Sequence, residues 1–202
     1  MREEVAFSEA EMIAVYLRAE IDSARFGPAI LTAPARDRRD RHIIDQPGLD
    51  DADENTNRRA LLGEYRGYGR NAGYFQGFPA DVRWTRAILT KDELTAVRYI
   101  RYDYWDELSG GTRLATDAAR RIRAGVVVFG QSTAGYLALA DTLRPDQPFP
   151  ELILVAKDAL APLVVLEGHV RLTTAMLRPD LLPATLPVII GFAEAIEQWG
   201  CY

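Results

Sequence analysis

Apolar positions at helical spacing open the chain. Met12, Ile13, Tyr16, Leu17, Ile21 and Ala24 form one stripe behind Ser8, which has Glu11 as a capping-box partner three residues on. The spacing predicts a helix over 8–26, stopped by Gly27-Pro28. Leu94, Val97, Ile100 and Tyr104 follow a second such pair, Thr90 and Glu93, and predict a helix over 90–105. Ser109-Gly110-Gly111-Thr112 breaks it and starts another helix that ends at Gly125. The pattern then changes. Residues 126–129, 152–155, 163–166 and 186–190 are short apolar runs rich in β-branched residues, which predict strands. Between them, 134–143, 170–177 and 193–199 read as helices and 145–150 as a loop.

Two unlike segments separate the first helix from the second. Residues 34–59 are dense in charge, with only Ile43, Ile44 and Leu49 strongly apolar, and predict an exposed connection. His42 lies there and reads as a solvated loop residue in preference to a catalytic one. In residues 60–85, glycines at 63, 67, 69, 73 and 77 interleave with Tyr65, Tyr68, Tyr74, Phe75, Phe78 and Trp84. Such a segment is either a stacking platform for a base or a loop pinned to the body by its own aromatics, and the pinned loop is the preferred reading. The organisation expected is therefore α+β. A mainly helical N-terminal region spans 1–110, and an α/β domain spans 111–202.

Composition narrows the function classes. The 202 residues, 48% hydrophobic and 26% charged, are ordinary for a packed globular chain. A formal net charge of -5 argues against a general nucleic-acid binder. One cysteine, Cys201, cannot form an internal disulfide, and one cysteine with two histidines does not make a Cys/His zinc cluster. A carboxylate-bound Mg²⁺ remains open. The first residues have no apolar signal region, and no run has the length of a membrane span. The expectation is a cytoplasmic protein without a membrane partner; oligomeric state is not legible.

The candidate chemistry lies in PLVVLEGHVRLTTAML. A buried strand delivers Glu167 and Gly168 to its end, and His169, Val170 and Arg171 open a helix. Ligands of α/β proteins gather at such strand ends, and a helix N-terminus offers unpaired N–H groups to an anion. Gly168 allows close approach, Arg171 suits phosphate, Glu167 can bind Mg²⁺ or act as a base, and His169 can shuttle a proton. The same residues can instead pair with one another and only fix the turn. Ser132 and Thr133 precede a helix and either touch phosphates or cap it. Ser109–Arg113 is either an anion-binding turn or a helix–helix turn that needs glycine.

Over about residues 126–191, LILV, LVVLEGHVRLTTAML and LPVII resemble the core of the ParB/sulfiredoxin-like superfamily, a mixed sheet with flanking helices. Sulfiredoxins carry a catalytic cysteine after the motif glycine, where this chain has His169. ParB proteins bind CTP through Gly-Glu-Arg-Arg and continue into a helix-turn-helix, for which 172–202 is too short. Glu167-Gly168-His169-Val170-Arg171 is most similar to the Asp-Gly-His-x-Arg of free serine kinases of this fold, with Glu for Asp. That resemblance implies a nucleotide-dependent phosphotransferase using ATP or ADP with Mg²⁺ on a small metabolite. It implies that Gly168, His169 and Arg171 hold phosphates and that Glu167 helps hold the metal or the transferring group. A further carboxylate is expected upstream, with Glu107 and Asp117 as candidates by position. A non-catalytic nucleotide- or ligand-binding protein is the alternative, and a DNA-associated protein the more distant one.

Overall fold

A computed structural model describes residues 2–21, 23, 26–36, 41–145, 147 and 149–202. The predicted positions Ala24, 37–40, 146 and 148 lie outside them. In chain order the elements are β1 (Arg2–Ala6), α1 (Glu9–Glu20), α2 (Gly27–Arg36), α3 (His42–Asp45), α4 (Ala52–Arg66), β2 (Arg83–Thr90), α5 (Lys91–Thr95), α6 (Asp103–Ser109) and α7 (Ala115–Arg123). There follow β3 (Val127–Val128), β4 (Gln131–Ser132), α8 (Ala134–Ala140), β5 (Leu152–Ala156), β6 (Val164–Glu167), α9 (His169–Leu177) and β7 (Thr185–Phe192). Short 3₁₀ turns occupy Gly73–Phe75, Pro179–Leu181 and Glu194–Gln198. The protein is α+β, with a mixed five-stranded sheet in the order β1-β2-β7-β5-β6.

Within the sheet β5 runs parallel to β7, and the other neighbours are antiparallel. Period-two alternation assigns the two faces. Leu152, Leu154, Ala156, Val165, Val188 and Ile190 face one core, packed with residues of α5, α6, α7 and α9. Ile153, Val155, Val164, Leu166 and Ile189 face the other, with α1, α3, α4 and the 73–78 segment. The result is a sheet between two helical layers, the N-terminal helices on one side and the C-terminal helices on the other.

Several expectations need correction. β1 and β2 come from the first 110 residues, which read as mainly helical, and they pair through β2 and β7 into the main sheet. The 126–129 run does not join it: Val127 and Val128 pair only with Ser132 and Gln131 in a separate hairpin, where Val128 is buried but Val127 and Phe129 are exposed. A β-branched run therefore marked extended backbone without marking a core strand. The expected helix over 8–26 ends early: α1 stops at Glu20, short of Gly27-Pro28, and Gly27-Pro28 instead begins α2, because proline suits a helix's first turn.

The expected helix over 90–105 is two, α5 and α6, separated by an extended stretch in which Tyr99 and Ile100 are buried. Residues 34–59 are not simply an exposed connection. Asp51 accepts from the Asp53 and Glu54 N–H groups at 2.9 and 3.0 Å and caps α4. Fully buried Arg58 then donates to the Ile43 and Gly48 carbonyls and to Glu54, at 3.1, 2.9 and 2.9 Å. His42 lies 2.6 Å from Glu54 in the same network. The Gly48 N–H, which donates to Glu54 at 2.9 Å, and then Arg58 and His42 hold the Glu54 carboxyl down at about 2. Both predicted capping boxes are present, Ser8 with Glu11 and Thr90 with Glu93.

Candidate functional site

Four buried or half-buried residues of β6 carry the chain to a turn at Gly168, which caps α9 from the left-handed region at φ 102°. A Cβ there would lie 2.5 Å from Leu152 Cδ2 and 3.1 Å from Arg171 Nη2, so both the conformation and the space call for glycine. No side chain caps α9, whose first backbone hydrogen bond runs from Leu172 N–H to the Gly168 carbonyl. Its N-terminus therefore faces a cleft of about 1980 Å³, lined by residues 167–171 on one side and by Arg66, Tyr74 and Trp105 among others.

Arg171 bends back over Gly168 and donates through Nη2 to Glu167 Oε1 at 3.2 Å. The Gly168 N–H also bonds the Glu167 carboxylate. Burial pushes the Glu167 carboxyl above the usual range, against the pull of Arg171 and Arg66. Part of the expected ligand chemistry is thus already committed within the turn, as the alternative reading of these residues had it. One of the five guanidinium donors of Arg171 is used in this pair, and the side chain keeps some exposure to the cleft.

The His169 ring stacks on Trp105 at 5.0 Å and 17°, and Trp105 stacks on Tyr99 at 4.8 Å. Tyr99 and Thr173 hydroxyls meet at 2.6 Å, and the Thr173 hydroxyl donates to the His169 carbonyl at 2.7 Å. Burial, reinforced by Arg66 and Arg171, lowers the His169 pKa to about 3. The ring is therefore neutral at neutral pH, and any contact with an anion is that of a neutral N–H donor. Its Nε2 is buried without a hydrogen-bond partner among the described residues.

Two charged residues of the site come from the N-terminal layer and were not singled out in the sequence. Arg66, at the end of α4, lies 3.5 Å from buried Glu20 of α1 and stacks over Phe26 and Tyr74 at 4.4 and 4.8 Å. A signal existed: Glu20 stands three residues after Leu17 and four after Tyr16, a carboxylate on the apolar face of α1. The glycine- and aromatic-rich segment packs as a pinned loop. The Tyr74 hydroxyl donates to the Leu166 carbonyl at 2.9 Å, and Trp199 Nε1 donates to the Tyr74 carbonyl at 3.0 Å. Tyr74, Phe75, Phe78 and Trp199 meet edge to face.

Other candidates lie elsewhere. The Thr133 hydroxyl donates to the Val126 carbonyl at 2.7 Å, Ser132 Oγ accepts from the Ala134 N–H, and neither residue lines the cleft. Glu107 pairs with Arg121 and Asp117 with Arg120, both away from the cleft lining. Ser109–Arg113 is a helix–helix turn: Gly110 and Gly111 take positive φ, and Arg113 Nε donates to the Tyr99 carbonyl at 2.8 Å. A resident divalent cation does not fit the turn, because the Glu167 carboxylate is paired with Arg171 and also feels the charge of Arg66. No group of three or more His, Cys, Asp or Glu able to hold a metal occurs among the described residues. No helix among them is long and apolar enough to cross a membrane.

No family model, curated protein or solved structure matches the chain.

Proposed function

We propose that the protein is a nucleotide-dependent phosphotransferase acting on a small metabolite, with the nucleotide's phosphates at the Gly168–Arg171 turn. The observation that carries this is the uncapped N-terminus of α9, with the Arg171 guanidinium over Gly168, opening onto a cleft of about 1980 Å³. Arg66, paired with Glu20, adds a second guanidinium from the opposite layer. Half-exposed Tyr102, with Tyr65 and Tyr104, supplies aromatic surface on the same cleft for a base. In this reading ATP or ADP brings Mg²⁺ bound to its own phosphates, since the turn is a poor cage for the ion.

The test is a thermal-shift series with ATP, ADP, CTP and GTP, with and without Mg²⁺, on the wild type and Arg171→Ala. A nucleotide at a hundredfold excess over its Kd stabilises the native state by about 2.7 kcal/mol. Each protein is compared with its own ligand-free state, because Arg171→Ala also breaks the pair with Glu167. A shift present in the wild type and absent in Arg171→Ala is the expected result. No shift with any nucleotide rejects the site.

A second reading, a non-catalytic nucleotide-binding protein, is favoured by one observation. Neither Glu107 nor Asp117 reaches the cleft, and His169 is neutral and stacked. Nucleotide that binds and is recovered unchanged across a broad panel of metabolites selects that reading.

A further inference from the structure

Three arginines gather at the rim of the cleft. Arg113 ends the turn between α6 and α7 in the left-handed region, at φ 62°. Its N–H donates to Ser109 Oγ at 2.9 Å, and its carbonyl accepts from the Tyr99 N–H at 2.7 Å. Its Nε donates to the Tyr99 carbonyl at 2.8 Å, which lays the guanidinium along the extended 98–101 segment. Arg98 precedes that carbonyl and bridges to Leu114 and Val164 through its backbone. Arg101 follows it and donates its N–H to the Cys201 carbonyl at 2.8 Å. Both are exposed, and Ile100, Tyr102 and Cys201 beside them line the main cleft. Among the described residues none of the three arginines forms an ion pair. Arg113 Nη2 is buried and has no hydrogen-bond partner among them. Burial, with the charges of Arg101 and Arg98, pulls the Arg113 guanidinium below its usual range against Asp106 and Tyr202.

We propose that Arg98, Arg101 and Arg113 form an oxyanion site for a phosphate dianion, free or at the end of an ester. The inference does not depend on the phosphate reading of the Gly168–Arg171 turn. Like charges held together oppose folding, and no carboxylate pairs with any of these three. A bound dianion removes that repulsion and offers Arg113 Nη2 the acceptor it lacks. Charge selects the ligand, because a phosphate monoester carries about -1.5 to -2 at neutral pH and a carboxylate only a single charge. Flanking acids limit its size. Asp103 and Asp106 stand in the first turn of α6, and Asp158 and Glu197 lie beyond Tyr202. The last two are engaged, Asp158 with the Leu160 and Ala161 N–H groups and Glu197 with Lys157. The site therefore suits one compact head and not a nucleic-acid backbone, which needs a continuous basic track.

The test is calorimetric titration of the full chain with inorganic phosphate, methyl phosphate and dimethyl phosphate at constant ionic strength. It is run on Arg171→Ala, so that phosphate held at the Gly168–Arg171 turn does not contribute. Inorganic and methyl phosphate should bind, and the singly charged dimethyl phosphate should bind far more weakly. Binding of inorganic phosphate alone assigns the free ion, and binding of both assigns the head of an ester. Arg98→Gln and Arg101→Gln, which keep the side-chain stem, should each weaken binding about tenfold. Without ligand, both should unfold at a urea midpoint no lower than that of their parent, because each removes a like charge. Should Arg171→Ala not fold, the same variants are made in the wild type and read as the loss of one equivalent of phosphate. Absence of phosphate binding, equal affinity for dimethyl phosphate, or unchanged affinity in Arg98→Gln and Arg101→Gln overturns the assignment. The Gly168–Arg171 reading is untouched by that failure, since it stands on nucleotide binding lost in Arg171→Ala.

Discussion

The two faces of the sheet are built by different means. The face under α5–α9 is packed mainly by Ala, Leu, Ile and Val, with Leu154, Val165, Leu172, Ala175 and Val188 all fully buried and Tyr99 as its one fully buried ring among the described residues. The other face, under α1–α4, contains the aromatic cluster and both buried charged residues among those described, Glu20 and Arg58. Away from the Tyr99–Thr173 hydrogen bond, that layer is held by non-directional burial, which tolerates changes of shape that conserve volume. The other is held by directional contacts: Arg58 ties the backbone at Ile43 and Gly48, Arg66 sits between Glu20 and aromatic rings, and Tyr74 hydrogen-bonds to β6. The cleft opens where the second layer meets the N-terminus of α9, so the candidate site takes one arginine from each side, Arg66 paired with Glu20 and Arg171 paired with Glu167.

The comparison breaks or holds on conservative substitutions. Arg58→Ala leaves two carbonyls and the Glu54 carboxylate without their donor and should cost about 3–5 kcal/mol in urea unfolding. Arg58→Lys should recover little, because one ammonium cannot reproduce a fork that reaches Ile43, Gly48 and Glu54 together. On the opposite face Leu154→Met should cost less than about 1.5 kcal/mol. Equal tolerance at the two positions would remove the distinction between the layers.

The seam is probed next by Gly168→Ala. A side chain at φ 102°, driven against Leu152 Cδ2, should destabilise the protein by about 1–3 kcal/mol and weaken nucleotide binding as well. A loss of stability with unchanged nucleotide affinity would separate the turn from the site.

Acid sensitivity probes the same seam without a substitution. His169 is held neutral down to about 3, so below its ordinary value of 6.5 the unfolded chain takes up a proton that the folded chain refuses. Stability should fall as pH drops from 6.5 towards 3. The Glu54 contribution, present above 4.5, is lost in a lower window as pH falls through about 2. His169→Gln should flatten the upper window and leave the lower one. A wild type equally stable at pH 7 and pH 5 would show that the ring is accessible to protons.

Much of the helical framework was legible locally. The boxes at Ser8/Glu11 and Thr90/Glu93 announced two helix starts, and the runs at 152–155, 163–166 and 186–190 announced β5, β6 and β7. β1 was missed because a charged strand that pairs only at the sheet's edge shows little apolar alternation. β2 was missed because Arg83, Arg86 and Trp84 hid its period beside a glycine-rich segment. At the candidate site, the Glu167–Arg171 turn was visible as a strand–glycine–helix junction, while Arg66 and Glu20 were not. Their meeting depends on α1 and α4 packing against each other, a contact between residues far apart in the chain.

The sequence by itself determined where backbone is helical or extended wherever caps and periodicity act within a few residues, and it determined that Gly168 precedes a helix with Arg171 in its first turn. Tertiary structure alone decided which extended runs share a sheet, and so sent Val127 and Phe129 to the surface and β1 and β2 to the sheet. It also decided the chemistry of His169. A histidine in a first helical turn could equally be solvated and basic, and only burial against Trp105, with Arg66 and Arg171 nearby, makes it neutral. Propensity and capping are local energies, whereas strand partners and desolvation are set by contacts between distant segments.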